Sequence, residues 1–497
     1  MFTKLRSLLA RGGGHDTLLF VVLAGGAVLR LAQYARARSL WLDEAMLANN
    51  VIELPLTRLM PPHLIKVAPL GFLAAEKLVI GILGTSEIAF RLIPLLAALG
   101  SLVLLYVASR QLLDQRERLL ALAIFALSPP LIYFASEAKP YSSDVFITLA
   151  LTIAVLYYLR APSGRLLVGL GAAGVIAVWF SYPAIFLLAV VGPIMLWIDR
   201  TQSRPLWPVL AVGASWVASF VGCYELTMRD FATQESLVSY WSSAFAPFPP
   251  LAWSDLAWYG DRFSDLFDEL LGTAKSITGL ALFLAVVGAV RMWKRRRVEA
   301  LVVLGPLGAT LIASMAQRYP VEGRVVLFWC PALVLCLAAG AGSLTSDTRL
   351  RWVTALLAAM LLLAPVESAF TLAKGRTINV EPAEEMGPLL QELVHRVKTG
   401  DAVYVYYGAQ SAASYYARRL GWNHRLHLGK RHRDDPESLL LEIDRLRADR
   451  LWLIFSHVHH GTHGNEKRLI LDHVKRRGRI IQRIQKPGAW AFCVAFE

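Results

Sequence analysis

The run that decides the fold is Pro69-Leu70-Gly71-Phe72-Leu73-Ala74-Ala75-Glu76-Lys77-Leu78-Val79-Ile80-Gly81-Ile82-Leu83-Gly84, apolar throughout except for two adjacent charges at its centre. A helix needs about 20 mainly apolar residues to cross a bilayer. A charge near the bilayer centre costs about 2.5–3.5 kcal/mol on insertion scales. The segment is therefore expected to lie at the interface or re-enter the membrane, inside a long outer loop of residues 36–87. If it crossed instead, everything after it would change sides.

Around this run, apolar stretches of spanning length recur at 16–35, 88–111, 118–136, 141–160, 165–181, 183–198, 205–226, 274–293, 298–316, 323–343 and 351–370. With 56% hydrophobic and only 18% charged residues, the composition excludes a soluble protein. The first apolar run lacks a small-residue cleavage site and reads as an anchor, not a signal peptide. The expectation is an all-α polytopic membrane domain of about 11 helices.

Positive charge orients it. Lys4, Arg6 and Arg11; Arg110, Arg116 and Arg118; Arg160 and Arg165; Arg200 and Arg204; Arg291 and Lys294 to Arg297; and Arg349 with Arg351 all fall in connections of one face. Loops rich in Lys and Arg stay cytoplasmic. The N-terminus is then cytoplasmic, the protein multi-pass in the plasma (inner) membrane, and the tail extracytoplasmic. The net charge of +14 is mostly carried by these loops and implies no nucleic-acid partner.

The chain divides into a membrane domain, 1–370, and a C-terminal extracytoplasmic α/β domain, 375–497. In the tail, helix signals at 383–398, 411–420, 435–447 and 465–477 alternate with strand signals at 401–407, 425–428, 451–456, 479–485 and 489–496. Such alternation suggests a mainly parallel sheet closed by a hairpin at Lys486-Pro487-Gly488. Cys223, Cys330, Cys336 and Cys493 read as free buried thiols. His457, His459, His460 and His463 fit no common zinc spacing and read as a solvated loop after a strand. Aromatic residues at 227–273, including Tyr240, Trp241, Trp253, Trp258 and Tyr259, read as an interfacial belt or the lining of a groove.

Chemistry gathers on the outer rim, where four separated sequences converge. They are Trp41-Leu42-Asp43-Glu44-Ala45; Ile65-Lys66-Val67-Ala68-Pro69-Leu70; Ser136-Glu137-Ala138-Lys139-Pro140-Tyr141; and Gln317-Arg318-Tyr319-Pro320-Val321-Glu322-Gly323-Arg324. Each has a plainer reading. Acidic residues favour helix N-termini, lysines snorkel to headgroups, Arg91 caps a helix, and Arg324 anchors at the bilayer edge. Their common face favours a site.

This ordered set, with Gly84-Thr85-Ser86-Glu87 and Arg91-Leu92-Ile93-Pro94 between its second and third members, resembles the membrane glycosyltransferases of the C-type fold. The similarity lies with the branch of protein O-mannosyltransferases and bacterial lipid A aminoarabinose transferases, and it runs across roughly residues 16–345. It implies transfer of a sugar from a polyprenyl-phosphate carrier to an envelope glycan, lipid or protein acceptor on the outer face. No cofactor is expected, and the lack of an Asp-x-Asp pair in the first loop argues against a metal-dependent mechanism. By the same resemblance Asp43 is the catalytic base and Glu44 its orienting partner. Lys66, Lys139 and Arg324 meet the donor phosphate, and Arg91, Glu137, Tyr141 and Tyr319 complete the binding site. Lys66-Val67-Ala68-Pro69 has one proline where the family commonly has two, and no role is carried over to the C-terminal domain. Two readings without chemistry stay open: a lipid-linked sugar transporter or flippase, and a non-catalytic carrier-lipid binding protein. Internal symmetry or charges deep in several spans would favour the flippase.

Overall fold

The computed structural model describes residues 14–61, 68–232, 235–344, 351–374, 376–378, 380, 382–433, 435–446, 448–461 and 464–496. Within these, eight helices are long and apolar enough to cross a membrane: Asp16–Ala35, Leu92–Leu112, Tyr141–Arg160, Ala184–Thr201, Trp207–Phe231, Lys275–Arg295, Arg297–Met315 and Gly323–Ser343. Helices are what such runs must form, because hydrocarbon offers no partner for a backbone N–H or C=O.

Of the other three expected spans, one is divided, one is shorter, and one lies within a helix of 23 residues. Residues 118–136 divide into Gln115–Leu127 and Pro129–Phe134, with a break at Ser128, where ψ is 119°. The proline that follows pushes Ser128 out of the α region. Residues 165–181 form the 17-residue helix Gly164–Phe180, and 351–370 fall within Arg351–Ala373.

The run at 69–84 folds as Leu70–Leu83, a helix of 14 residues. At 1.5 Å per residue it reaches about 21 Å, short of a hydrocarbon core of about 30 Å. Its central charges turn inward. Glu76 is buried, and Lys77 Nζ donates at 2.7 Å to the carbonyls of Val51 and Leu54, at the C-terminal end of the Leu42–Glu53 helix. A cation there satisfies carbonyls that have no intrahelical partner. Leu78, Ile82 and Leu83 form the exposed apolar side, and Gly84 ends the helix at φ 78°.

Arg30 shows how a charge inside a span is accommodated. Its guanidinium donates to the carbonyls of Gly26, Ala126 and Phe125 at 2.9–3.1 Å, tying the first helix to the end of Gln115–Leu127. The Lys275–Arg295 and Cys330–Leu344 helices approach so closely that a Cβ at Gly288 would fall 1.8 Å from the Cys336 carbonyl oxygen. Glycine is required at that crossing.

Leu92–Leu112 and Tyr141–Arg160 run from one end of the bundle to the other, so Arg91 and the 135–140 turn lie at one end, and Arg110 and Arg160 at the opposite one. At the latter, Arg291 pairs with Asp114 and Glu117, and Arg160 and Arg296 both donate to the Gln111 carbonyl. Of the arginines that sort together in the sequence, Arg160, Arg291 and Arg296 meet there.

The C-terminal unit is built on a five-stranded sheet: β1 (Ala402–Val405), β2 (Leu426–Leu428), β3 (Arg450–Ser456), β6 (Gly478–Lys486) and β7 (Ala489–Phe496), in the order β2-β1-β3-β7-β6. Short strands β4 (His460–Gly461) and β5 (Gly464–Asn465) pair separately. The sheet is mixed, a correction to the mainly parallel expectation. Strands β2, β1 and β3 are parallel, whereas the β6–β7 hairpin joins β3 antiparallel. A two-residue turn at Pro487-Gly488 returns the chain directly, so β7 lies against both β6 and β3 without a crossover helix.

This unit is not a detached appendage. Leu47, Phe72 and Phe90 of the membrane part share one apolar core with Met386, Leu389, Tyr415 and Trp452. Each such side chain contributes about 1.5–3 kcal/mol when fully buried. Polar ties reinforce the seam. Leu40 N–H donates to the Tyr416 hydroxyl at 2.8 Å, the Tyr415 hydroxyl donates to the Thr85 carbonyl at 2.7 Å, and Arg418 and Arg419 pair with Glu53 and Glu87. All four cysteines are free and buried.

Candidate active site

The Leu42–Glu53 helix begins where the extended residues Ser39–Trp41 turn inward, and Trp41 offers no acceptor to cap it. Two carboxylates take that role, one from the distant tail and one from the first turn of the helix itself. Glu384 Oε2 accepts the Leu42 N–H at 3.0 Å, and Glu44 Oε2 accepts the Trp41 N–H at 3.4 Å. Negative charge at a helix N-terminus is favourable, so this end collects acids both from its own first turn and from the distant tail.

Asp43 and Glu44 point to different partners. Glu44 is fully buried and takes a two-pronged bond from Arg91, Nε to Oε1 at 2.9 Å and Nη2 to Oε2 at 2.6 Å. Its Oε1 also accepts the Ala138 N–H at 2.7 Å. Arg91 donates onward to the carbonyls of Arg38 and Ser39. Burial pushes the Glu44 carboxyl up, but the Arg91 guanidinium and these hydrogen bonds outweigh it and hold it below the ordinary value. The pair is thus a strut joining the outer loop, the Leu92–Leu112 helix and the 135–140 turn.

Asp43 is only 13% exposed and faces Arg324, with Oδ2 3.7 Å from Nη2. The Arg324 guanidinium also lies over the Trp41 ring, 5.3 Å from its centroid, and hydrogen-bonds the Tyr141 hydroxyl. Three of the four converging sequences therefore meet around one cation. Of the fourth, Lys66 lies outside the described residues, and the chain resumes at Ala68, whose carbonyl accepts the Tyr182 hydroxyl at 3.0 Å.

Glu137 and Lys139 are both buried in the turn beside this cluster. Neither carboxylate oxygen of Glu137 has a hydrogen-bond partner among the described residues. Burial, then the charge of Glu44, pushes its carboxyl up to about 7, against the opposing pull of Arg38, Arg324 and Lys139.

Next to the cluster is a cavity of about 300 Å³, mostly apolar, whose wall includes Tyr141, Asp144, Tyr182, Trp241 and Tyr319. Tyr319 is held by its hydroxyl donating to the Val325 carbonyl at 2.8 Å, edge-on to Phe186. Of the aromatic loop, Trp241 lines the cavity, whereas Tyr240 and Trp253 are exposed.

Sequence reasoning missed several participants. Asp144 carried a usable signal, since an acidic residue inside a span marks a site by default. Glu384 and His457 carried none, because only the folded tail brings Glu384 to the Leu42 N–H beside Asp43 and His457 to Glu384. Of the histidine cluster, His457 turns toward the site, His460 bonds Asn465, and His463 lies outside the described residues. No group of three or more potential metal ligands occurs among the described residues.

The helical bundle, the long outer loop with its acidic pair, and the docked C-terminal sheet define the C-type glycosyltransferase fold. Residues 67–245 match the family described as dolichyl-phosphate-mannose-protein mannosyltransferase. Among solved structures, ArnT from Cupriavidus metallidurans in the apo state is similar, with TM-score 0.53, 12% identity, and coverage of 97% of this chain and 98% of that one. The same protein bound to undecaprenyl phosphate gives TM-score 0.53, 14% identity, and coverage of 96% and 97%. The archaeal oligosaccharyltransferase AglB from Archaeoglobus fulgidus, in complex with an inhibitory peptide and a dolichol-phosphate, gives 0.50, 11%, and coverage of 96% and 74%. No curated protein sequence matches the chain.

Proposed function

We propose that this protein is an integral membrane glycosyltransferase that moves a sugar from a polyprenyl-phosphate carrier to an acceptor hydroxyl outside the cytoplasm. The observation that carries the reading is the meeting of Asp43, Arg324 and Tyr141 beside an apolar cavity. A carboxylate can take the acceptor proton while cations receive the leaving phosphate. Similarity to a structure bound to undecaprenyl phosphate and to the mannosyltransferase family supports the donor class.

In this reading the carrier phosphate draws Arg324 away from Asp43 and also engages Lys139 and Lys66. Asp43 then accepts the proton as the acceptor oxygen bonds to the anomeric carbon and the carbon–phosphate-oxygen bond breaks. The displacement inverts the anomeric centre. Because a charge-assisted hydrogen bond is worth about 1.5–3 kcal/mol, Arg324→Ala and Lys139→Ala are each expected to weaken carrier binding roughly tenfold or more. Titration with fluorescent polyprenyl phosphate measures this. Unchanged affinity in both would reduce these residues to structural cations.

With the arginine-rich end cytoplasmic, the membrane domain, 1–370, opens its site to the outer side, where the C-terminal domain, 375–497, also lies. Compartment reporters fused after residues 345 and 400 are expected to disagree, cytoplasmic for the first and extracytoplasmic for the second. Two cytoplasmic signals would contradict the orientation.

A further inference from the structure

The proposed chemistry leaves one proton to be accounted for. Asp43 lies 3.7 Å from Arg324 and is largely buried. A carboxyl beside a guanidinium favours its ionised form, so a proton taken from the acceptor must leave before the next turnover. Glu137 is no exit, being buried on all sides.

His457 is placed to serve. It directly follows β3, and its backbone adopts φ 47°, a left-handed conformation uncommon for a residue with a side chain. Such strain costs about 1–3 kcal/mol and persists only where the surroundings enforce it. Here they do. A Cβ at Gly408 would fall 2.5 Å from the His457 carbonyl oxygen, so Gly408 lets the two segments close on each other. On the far side of the turn, the His459 N–H donates to the Tyr406 hydroxyl at 3.2 Å.

The ring is held as firmly as the backbone. Nδ1 lies 2.7 Å from Glu384 Oε1, and the other oxygen of the same carboxylate accepts the Leu42 N–H at 3.0 Å. One buried carboxylate thus links the imidazole to the residue that precedes Asp43. Donation from Nδ1 directs the basic lone pair of the neutral ring to Nε2. The side chain of His457 is 44% exposed, against 6% for Glu384 and 13% for Asp43, so the ring is the most open of the three to water.

We propose that His457, supplied by the C-terminal domain and oriented by Glu384, relays the acceptor proton from Asp43 to solvent. The inference rests on the glycosyltransferase reading above. The proton leaves the acceptor oxygen for Asp43, passes to His457 Nε2, and is released to bulk water. The sugar–oxygen bond formed and the sugar–phosphate bond broken are unchanged by this step. The groups that act on His457 are Glu384, Asp43 and Arg433. Bonding to Glu384 raises the imidazole above its ordinary value, burial opposes this, the charges of Glu384 and Asp43 add to it, and Arg433 opposes it. The neutral ring is the acceptor, so turnover should rise with pH through a value above the ordinary histidine range.

The test is the pH–rate profile of purified full-length protein with a labelled polyprenyl-phosphate sugar. His457→Asn keeps a residue that tolerates the left-handed backbone but cannot carry the proton. It is expected to lose the acidic limb and at least tenfold in kcat, with donor KM unchanged and activity partly restored by added imidazole. Glu384→Gln is expected to move the limb to lower pH, because the charge that raises His457 is gone. An active wild type with a His457→Asn variant of unchanged kcat and profile overturns the relay and leaves the transferase reading intact. A loss in His457→Asn that imidazole does not restore, with no shift of the limb in Glu384→Gln, also overturns it. A wild type without transfer overturns the underlying reading instead.

Discussion

Asp43→Asn is expected to lower sugar transfer by about two orders of magnitude or more while protein level and carrier affinity stay near wild type. General-base catalysis commonly contributes about 10²–10⁴-fold, and the amide preserves the size of the carboxylate but not its basicity. The side chain is on the first turn of a helix whose N-terminus is capped by Glu384 and Glu44, so the substitution removes no cap, although it weakens the ion pair with Arg324. Asp43→Glu should recover little, because an added methylene moves the oxygen out of line with the acceptor. Direct transfer from a labelled carrier measures both. Near-wild-type turnover in Asp43→Asn would pass the role of base to Glu137, which is buried without a hydrogen-bond partner among the described residues.

Arg91→Ala should act on the fold, not the chemistry. Glu44 would keep its charge inside the protein without the two-pronged donor that holds it, and removing one member of a buried pair costs about 3–5 kcal/mol. The Arg38 and Ser39 carbonyls would lose their donors as well. The expected result is a large drop in thermal midpoint in detergent and a low yield. Glu44→Gln should behave alike, since it leaves Arg91 charged. A stable Arg91→Ala protein would show that the strut is dispensable.

These two outcomes separate neighbours that the sequence could only list side by side. Adjacent positions on a helix do not face each other, so distinct roles for Asp43 and Glu44 were legible. That Arg91 was the partner of Glu44 was not. Its run, Arg91-Leu92-Ile93-Pro94, reads equally as a cap on the next helix, and only the packing of three segments decides. The membrane architecture was largely legible because hydrocarbon imposes one rule on every span. It blurred at Ser128-Pro129-Pro130, where hydropathy continues through a break in the backbone. The short helix at 70–83 was anticipated from its length and charges, although Lys77 capping the Leu42–Glu53 helix was not.

The C-terminal unit was legible in its elements and illegible in its placement. Strand and helix signals come from local periodicity, whereas docking depends on a core assembled from Leu47, Phe72 and Phe90 on one side and Met386, Leu389 and Trp452 on the other. No local pattern announces that Glu384 will cap the helix of Asp43. The histidine cluster misled for the same reason. It was weighed as a set of metal ligands, when a single member is held by one distant carboxylate, Glu384, whose other oxygen caps the helix of Asp43.

The central claim is chemical, and one measurement addresses it most directly. Purified protein in nanodiscs would be incubated with a polyprenyl phosphate carrying a radiolabelled sugar and with extracted envelope acceptors, and the label and the carrier would both be followed. Catalysis predicts that label appears in an acceptor while an equal amount of free polyprenyl phosphate is released, and that Asp43→Asn abolishes both. Label that stays on its carrier, bound or moved between leaflets by wild type and Asp43→Asn alike, would contradict the account and make this a carrier-lipid binding or transport protein.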